Sequence, residues 1–231
     1  MVTDARLERV SVLVESENRT RLVRNQSYAG LVTDSAVDHE IKALTPETWP
    51  DFEALVERTG GLFSGCWCVH FHHGVEDGRG EDEPNPDFKR RMVEAGIAHA
   101  ALVYDGPDVV AWAEYGTPCE LPNIHHRKQY DAESVAPPDY RITCINVTRS
   151  HRKLGFGRLA LRGAVDLIAR AGGGVVEGYP HDMSTRDPAK KMSDSFLYNL
   201  TRKSYEDAGF TYVRPKGQQN CVMSKVVAPL S

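Results

Sequence analysis

The stretch from Tyr140 to Tyr179 constrains the fold more tightly than any other part of the chain. Residues Arg141 to Val147 are mostly β-branched and alternate in polarity, which predicts a strand. A short polar connection, Thr148 to His151, leads into Arg152-Lys-Leu-Gly-Phe-Gly157, with two glycines one residue apart. From Gly157 the period turns helical. Leu161, Ala164, Val165 and Ile168 fall on one face, and Arg158, Arg162, Asp166 and Arg170 mark the wet one. Gly172-Gly-Gly174 stops the helix and Val175 to Tyr179 starts a second strand. The unit is strand, glycine loop, helix, strand.

A loop of this kind at a helix start leaves several amide N–H groups unpaired and facing outward. Together with the positive helix end and the Arg152 and Lys153 side chains, they make a seat for a pyrophosphate. Gly155 and Gly157 permit close approach because neither has a Cβ. A dinucleotide fingerprint requires a third glycine where Ala160 stands, and no acidic strand end follows for the ribose. A P-loop is absent. On these residues alone, a tight strand-to-helix turn without a ligand stays open.

Two motifs sharpen the reading. Ile145-Asn-Val-Thr-Arg-Ser-His-Arg-Lys-Leu-Gly-Phe-Gly157 resembles the acetyl-CoA signature of the GCN5-related N-acetyltransferases, with Arg152, Gly155 and Gly157 at the matching places. About fifty residues on, Ser204-Tyr-Glu-Asp-Ala-Gly-Phe210 is similar to the Tyr-Glu-x-x-Gly-Phe helix end of the same family. The resemblance runs over roughly residues 39–227, strongly in 140–227. It implies an α+β domain: a GNAT-type mixed, mainly antiparallel central sheet flanked by helices, with a splayed central strand pair.

The resemblance also implies roles. Acetyl-CoA would lie in the split, its pantetheine arm on the backbone of Ile145 and Val147. Its pyrophosphate would lie on the backbone of Arg152, Lys153, Leu154, Gly155, Phe156 and Gly157. Tyr205 matches the tyrosine that protonates the coenzyme A sulfur, although packing where helix meets sheet is an alternative. Amine acetylation needs a neutral nucleophile, and an alkyl amine has a pKa of about 10, so a base or water chain helps. The base is poorly specified. Glu114 is favoured, since an acidic group on its strand would also attract a cationic amine; Glu177, His125, His126, His181 and Asp182 are the other choices, each also readable as a solvated surface group.

Composition narrows the field further. A net charge of −4 and a pI near 6.1 argue against a general nucleic-acid binder. No apolar run of about eighteen residues exists, which argues against a membrane span. The polar N-terminus lacks a signal-peptide core, and five cysteines do not resemble a disulfide framework. The expectation is a cytoplasmic transferase that moves an acetyl group directly from acetyl-CoA to a primary amine of a small molecule. Rival readings are a protein or peptide acceptor, or an acetyl-CoA sensor without turnover. Oligomeric state, including a homodimer, stays open.

Two domains of unequal standing follow: a poorly ordered N-terminal arm, 1–36, and the acetyltransferase domain, 37–231. Within the latter the pattern predicts a first strand at His39–Leu44 and a helix starting at Pro46 or Pro50, with Trp49, Phe52, Leu55 and Val56 inward. Residues 74–87 read as loop and Asp87–Ala95 as a short basic helix. His99–Tyr104 and Val109–Tyr115 form a hairpin, and 116–139 an irregular connection. A helix is expected over Phe196–Ala208, capped by Ser193, Asp194 or Ser195, followed by a strand pair, Phe210–Val213 and Cys221–Val227. Cys66, Cys68, His70 and His72 alternate, so an extended backbone would align them. They are zinc-ligand types, but the spacing is wrong for one metal, and no metal is expected. The segment, with Phe63, Trp67 and Phe71, reads either as an acceptor-pocket wall or as core.

Overall fold

The computed structural model describes residues 39–59, 65–74, 78–134, 136–185 and 199–230. The N-terminal arm, Phe63 and the proposed caps at 193–195 lie outside them. The elements are β1 (Ile41–Ala43), α1 (Trp49–Thr59), α2 (Asn85–Glu94), β2 (His99–Asp105), β3 (Asp108–Gly116), α3 (Arg127–Glu133), β4 (Tyr140–Val147), α4 (Phe156–Arg170), β5 (Gly174–Gly178), α5 (Arg202–Asp207), β6 (Thr211–Lys216) and β7 (Asn220–Val227). Seven strands form one sheet in the order β1-β2-β3-β4-β5-β7-β6. Among these seven strands of the described residues, β4–β5 is the parallel pair and the other neighbours are antiparallel. This is the mixed, mainly antiparallel α+β sheet expected from the sequence. Among the described residues, no helix is long and apolar enough to cross a membrane.

Alternation along the strands feeds two cores, one on each face of the sheet. Ala101, Val103, Ala111, Ala113 and Ile145 meet Leu161, Ala164, Val165 and Ile168 of α4. On the other face Ala100, Leu102, Trp112 and Cys144 meet α1 and α2 through Phe52, Leu55, Val56, Phe88 and Met92. Trp49, Phe52, Leu55 and Val56 are all buried, as the helical spacing predicts. Phe52 lies edge-on to Trp67 and Trp112, with ring centroids 6.1 and 5.5 Å away. Trp67 therefore belongs to the core.

Three expectations need correction. The connection after β3 is not wholly irregular: α3 forms inside it, because Tyr130 is buried against Tyr179 and gives a short helix a face to dock. The last helix is shorter than its pattern. Asn199 and Leu200 are non-helical, Leu200 in the left-handed region at φ 59°, and α5 starts only at Arg202. The strand β6 continues through Pro215 and Lys216, which shortens the final turn.

Phe52→Ala removes the ring shared by the three tryptophans. It should cost about 3–5 kcal/mol, read as a lower urea midpoint with unchanged slope.

Candidate active site: a split in the sheet

The central pair β4 and β5 is joined over three residues only, Tyr140–Ile142 against Val176–Gly178. Beyond Ile142 the strands part. On β4, Cys144 faces Glu114 and Ile142 faces Tyr115, so Thr143 is an extra, bulged residue. A bulge bends its strand and increases its twist, and it falls where pairing to β5 ends. The amide of Thr148 donates to Val110 O of β3 at 2.8 Å. Alternate residues of an antiparallel strand address the same neighbour. Asn146 therefore also faces β3, and the N–H and C=O groups of Ile145 and Val147 face the opening.

The glycine loop closes the wide end of the split. Lys153 and Gly155 both have positive φ, 66° and 98°, and α4 starts at Phe156. Among the described residues, no backbone carbonyl accepts a hydrogen bond from the amides of Lys153 to Gly157, whereas Arg158 and Leu159 both donate to Gly155 O. Gly157 is pressed onto Val147 and Leu200: a Cβ there would lie 2.7 Å from Leu200 Cδ2. Arg152 Nε donates to Val147 O at 3.4 Å.

Tyr205 sits at the narrow end. It is fully buried, with its ring edge-on to Phe210 at 5.0 Å. Its hydroxyl has no hydrogen-bond partner among the described residues. The ring lies against Gly178, the last β5 residue joined to β4, and any Cβ at that position would overlap it. Burial pushes the phenol well above its ordinary range, so it is protonated at any working pH and can only give or share its hydrogen.

Behind the bulge lies a buried polar chain. Glu114 accepts from Lys89 Nζ at 2.6 Å and from Thr143 Oγ1 at 2.7 Å, one bond to each carboxylate oxygen. Lys89 also approaches His72 Nε2 at 3.1 Å, and His72 Nδ1 lies 3.0 Å from Glu120 O. A carbonyl only accepts, so Nδ1 carries the hydrogen and Nε2 accepts from the ammonium. All four side chains are about 1% exposed. Burial, then the Lys89 charge, holds His72 down to about 2. Glu114 was legible as a candidate; Lys89, Thr143 and His72 were not, because Lys89 reads as the wet side of a basic helix.

The remaining residues scatter. Glu177 accepts from Tyr130 and Tyr179 hydroxyls at 2.6 and 3.0 Å. Asp182 is engaged by Arg202 and Ser184. His125 stacks on His70, and His126 opens α3 at φ 57°. His181 bridges Thr201 and Asn220 beyond β5. The alternation from Cys66 to His72 does not become a strand, since Trp67 and Cys68 are left-handed and Val69–Phe71 is a 3-10 turn. Cys68 instead donates to Cys144 Sγ at 3.1 Å and accepts from Trp112 Nε1 at 3.3 Å.

No family model matches the sequence, and no curated protein is significantly similar to it. Solved structures of similar fold include one from Desulfovibrio desulfuricans described as an acetyltransferase of the GNAT family (16% identity, 82% of this chain, 99% of that one, TM-score 0.44). Another is the PaiA N-acetyltransferase of Thermoplasma acidophilum in complex with coenzyme A (11%, 81% and 98%, TM-score 0.44). A third is an aminoglycoside 6'-N-acetyltransferase complexed with coenzyme A (14%, 83% and 99%, TM-score 0.45). All three are described as acetyltransferases.

The buried chain makes two predictions. Lys89→Ala strands the Glu114 charge and should cost about 3–5 kcal/mol, whereas Lys89→Met with Glu114→Leu should recover most of it; chemical denaturation of the set decides. His72 is neutral when folded but titrates near 6.5 when unfolded. Its contribution is complete above that pH and is lost progressively as pH falls towards about 2. His72→Asn, which keeps one donor and one acceptor, should flatten stability between pH 6.5 and 4 by at most about 1.4 kcal/mol per pH unit.

Proposed function

We propose that the chain is an acetyl-CoA-dependent N-acetyltransferase that acts on a primary amine of a small molecule. The observation that carries this reading is the split itself, a strand edge open inside a sheet with a donor-lined loop at one end and a buried, unpartnered phenol at the other. Buried backbone groups are nearly always paired, and a long ligand with peptide-like amides along its arm satisfies Ile145 and Val147. The amides of Lys153 to Gly157, with Arg152 and Lys153, suit a diphosphate. The residues present therefore fit acetyl-CoA, which supplies an activated acetyl group when bound.

In this reading Tyr205 donates its hydrogen to the departing sulfur, and that bond satisfies the hydroxyl. Glu114 is the acidic group of the acceptor side. Both its oxygens are engaged, so it acts through Thr143, keeping a negative charge behind the bulge where an amine approaches. A small acceptor is supported by an open cleft of about 360 Å3 at the joined end of β4 and β5, bordered by Arg141, within the size range of small-molecule sites.

Calorimetry with acetyl-CoA should show saturable heat, and coenzyme A thiol should appear when a panel of primary amines is added. Arg152→Ala with Gly155→Val should weaken binding roughly 10- to 100-fold, the worth of one charge-assisted hydrogen bond. Tyr205→Phe should slow thiol release roughly 10- to 1,000-fold with little change in acetyl-CoA affinity. It should not lower stability, because it removes an unsatisfied buried hydroxyl. Absence of binding heat together with absence of thiol release overturns the assignment. Normal turnover by Tyr205→Phe removes that residue from the chemistry.

A further inference from the structure

The cleft beside β4 holds a buried guanidinium that makes no salt bridge among the described residues. It is walled by Pro118, Pro122, Pro137, Arg127, Tyr130 and Arg141. Arg127 is already spent on Asp131 at 2.7 Å. Arg141 is not. It is 5% exposed, and among the described residues no carboxylate lies within 4.0 Å of its guanidinium. Nη1 donates to Leu121 O at 3.0 Å and to Pro122 O at 3.4 Å, and among the described residues Nε is buried without a partner. Among the described residues Nη2 makes no hydrogen bond and is not one of the buried unpartnered atoms, so it is the part of the group that faces the cleft. Glu177, its register partner across the strand pair, keeps its charge but makes no contact with the guanidinium within 4.0 Å, and it accepts from the Tyr130 and Tyr179 hydroxyls instead.

A buried guanidinium normally sits against a carboxylate or phosphate, because taking an unpaired charge out of water is expensive. The surroundings sharpen the imbalance. Arg141 and Arg214 both stack on Tyr130, at 5.4 and 4.9 Å; Arg214 is paired with Glu133 at 3.2 Å, whereas buried Lys216, 4.8 Å over Tyr179, makes no salt bridge among the described residues. Burial, then the charges of Arg214 and Arg141, holds Lys216 down to about 8. Arg141 and the bulged Thr143 are two residues apart on β4, at most about 7 Å along the strand. Arg141 meets Tyr130 and the Leu121 carbonyl, and Thr143 meets the Glu114 carboxylate.

We propose that this cleft is a carboxylate subsite, with Arg141 as its specificity-determining residue, and that the acceptor is an amino acid or similarly small amino carboxylate. This rests on the acetyl-transfer reading for its amine end only. The carboxylate pairs with the Nη2 side of the Arg141 guanidinium, and the amine reaches back towards Thr143 and Glu114. The span of about 7 Å suits an acid whose two ends are a few bonds apart.

The test separates the two readings. Protein labelled with 15N is titrated with N-acetylglycine and N-acetyl-β-alanine and with their primary amides. The probe is the Arg141 Nε–H resonance, assigned by its loss in Arg141→Lys. In parallel, thiol release from acetyl-CoA is compared for glycine, β-alanine and 4-aminobutyrate against their amides. The acids should shift the resonance saturably and the amides should not. At least one acid should exceed its amide in kcat/KM by about tenfold or more. Arg141→Gln should erase that preference through KM, with acetyl-CoA affinity unchanged. Acids that leave the resonance in place, or acids and amides that shift it alike, overturn the subsite even if amines are acetylated. A shift by acids without thiol release from any amine upholds the subsite and defeats the transferase reading. The titration uses the parent protein, so it stands even if Arg141→Gln fails to fold.

Discussion

Everything in this molecule turns on the parting of β4 from β5. A parallel pair buried in a sheet would normally hydrogen-bond along its length; here the pairing stops at Ile142 and Gly178. Two local features hold the strands apart. The Thr143 bulge bends β4, and Tyr205 fills the space under Gly178, where only a residue without a Cβ admits the ring. The result is an unpaired strand edge inside the protein, a feature that proteins otherwise cover or abolish. A ligand with amides of its own is a natural cover for it.

The polar chain behind the bulge explains how such a site keeps its shape. Glu114 is anchored by Lys89, Lys89 by His72, and His72 by the Glu120 carbonyl. A buried ion pair is weak evidence of stability, but its members are costly to separate. Thr143 donates to the carboxylate oxygen of Glu114 that Lys89 leaves free, so Thr143 is held in place from behind. Cys144, the next residue, accepts from Cys68, which in turn accepts from Trp112. The bulge is thus held by α2, the residues flanking the 3-10 turn at Val69–Phe71 and β3 together.

Legibility differed sharply between the backbone and the side-chain parts of the site. The glycine loop, the helix after it and the strand before it follow from local spacing, so the chain from Arg141 to Tyr179 could be laid out residue by residue. Tyr205 was likewise placed by its motif, although the start of α5 was not, because Leu200 takes a left-handed backbone that no periodicity announces. Lys89 gave no signal, since a lysine on a basic helix looks solvated until the sheet buries it; His72 was visible only as part of the alternating Cys/His segment, not as the partner of Lys89. Arg141 was visible as the one charge at the head of a β-branched run, but that run alone does not say which carboxylate, if any, it meets.

The sequence by itself determined the order of elements apart from α3, the inward faces of α1 and α4 and the donor-rich turn before α4, because periodicity and glycine act over a few neighbouring residues. Only the tertiary structure decided where charge is stranded and where it is paired. Lys89 and Glu114 lie 25 residues apart in the chain and Tyr130 and Glu177 lie 47 apart. Their partnership, and the solitude of Arg141 beside them, comes from strand register and burial, which no local pattern encodes.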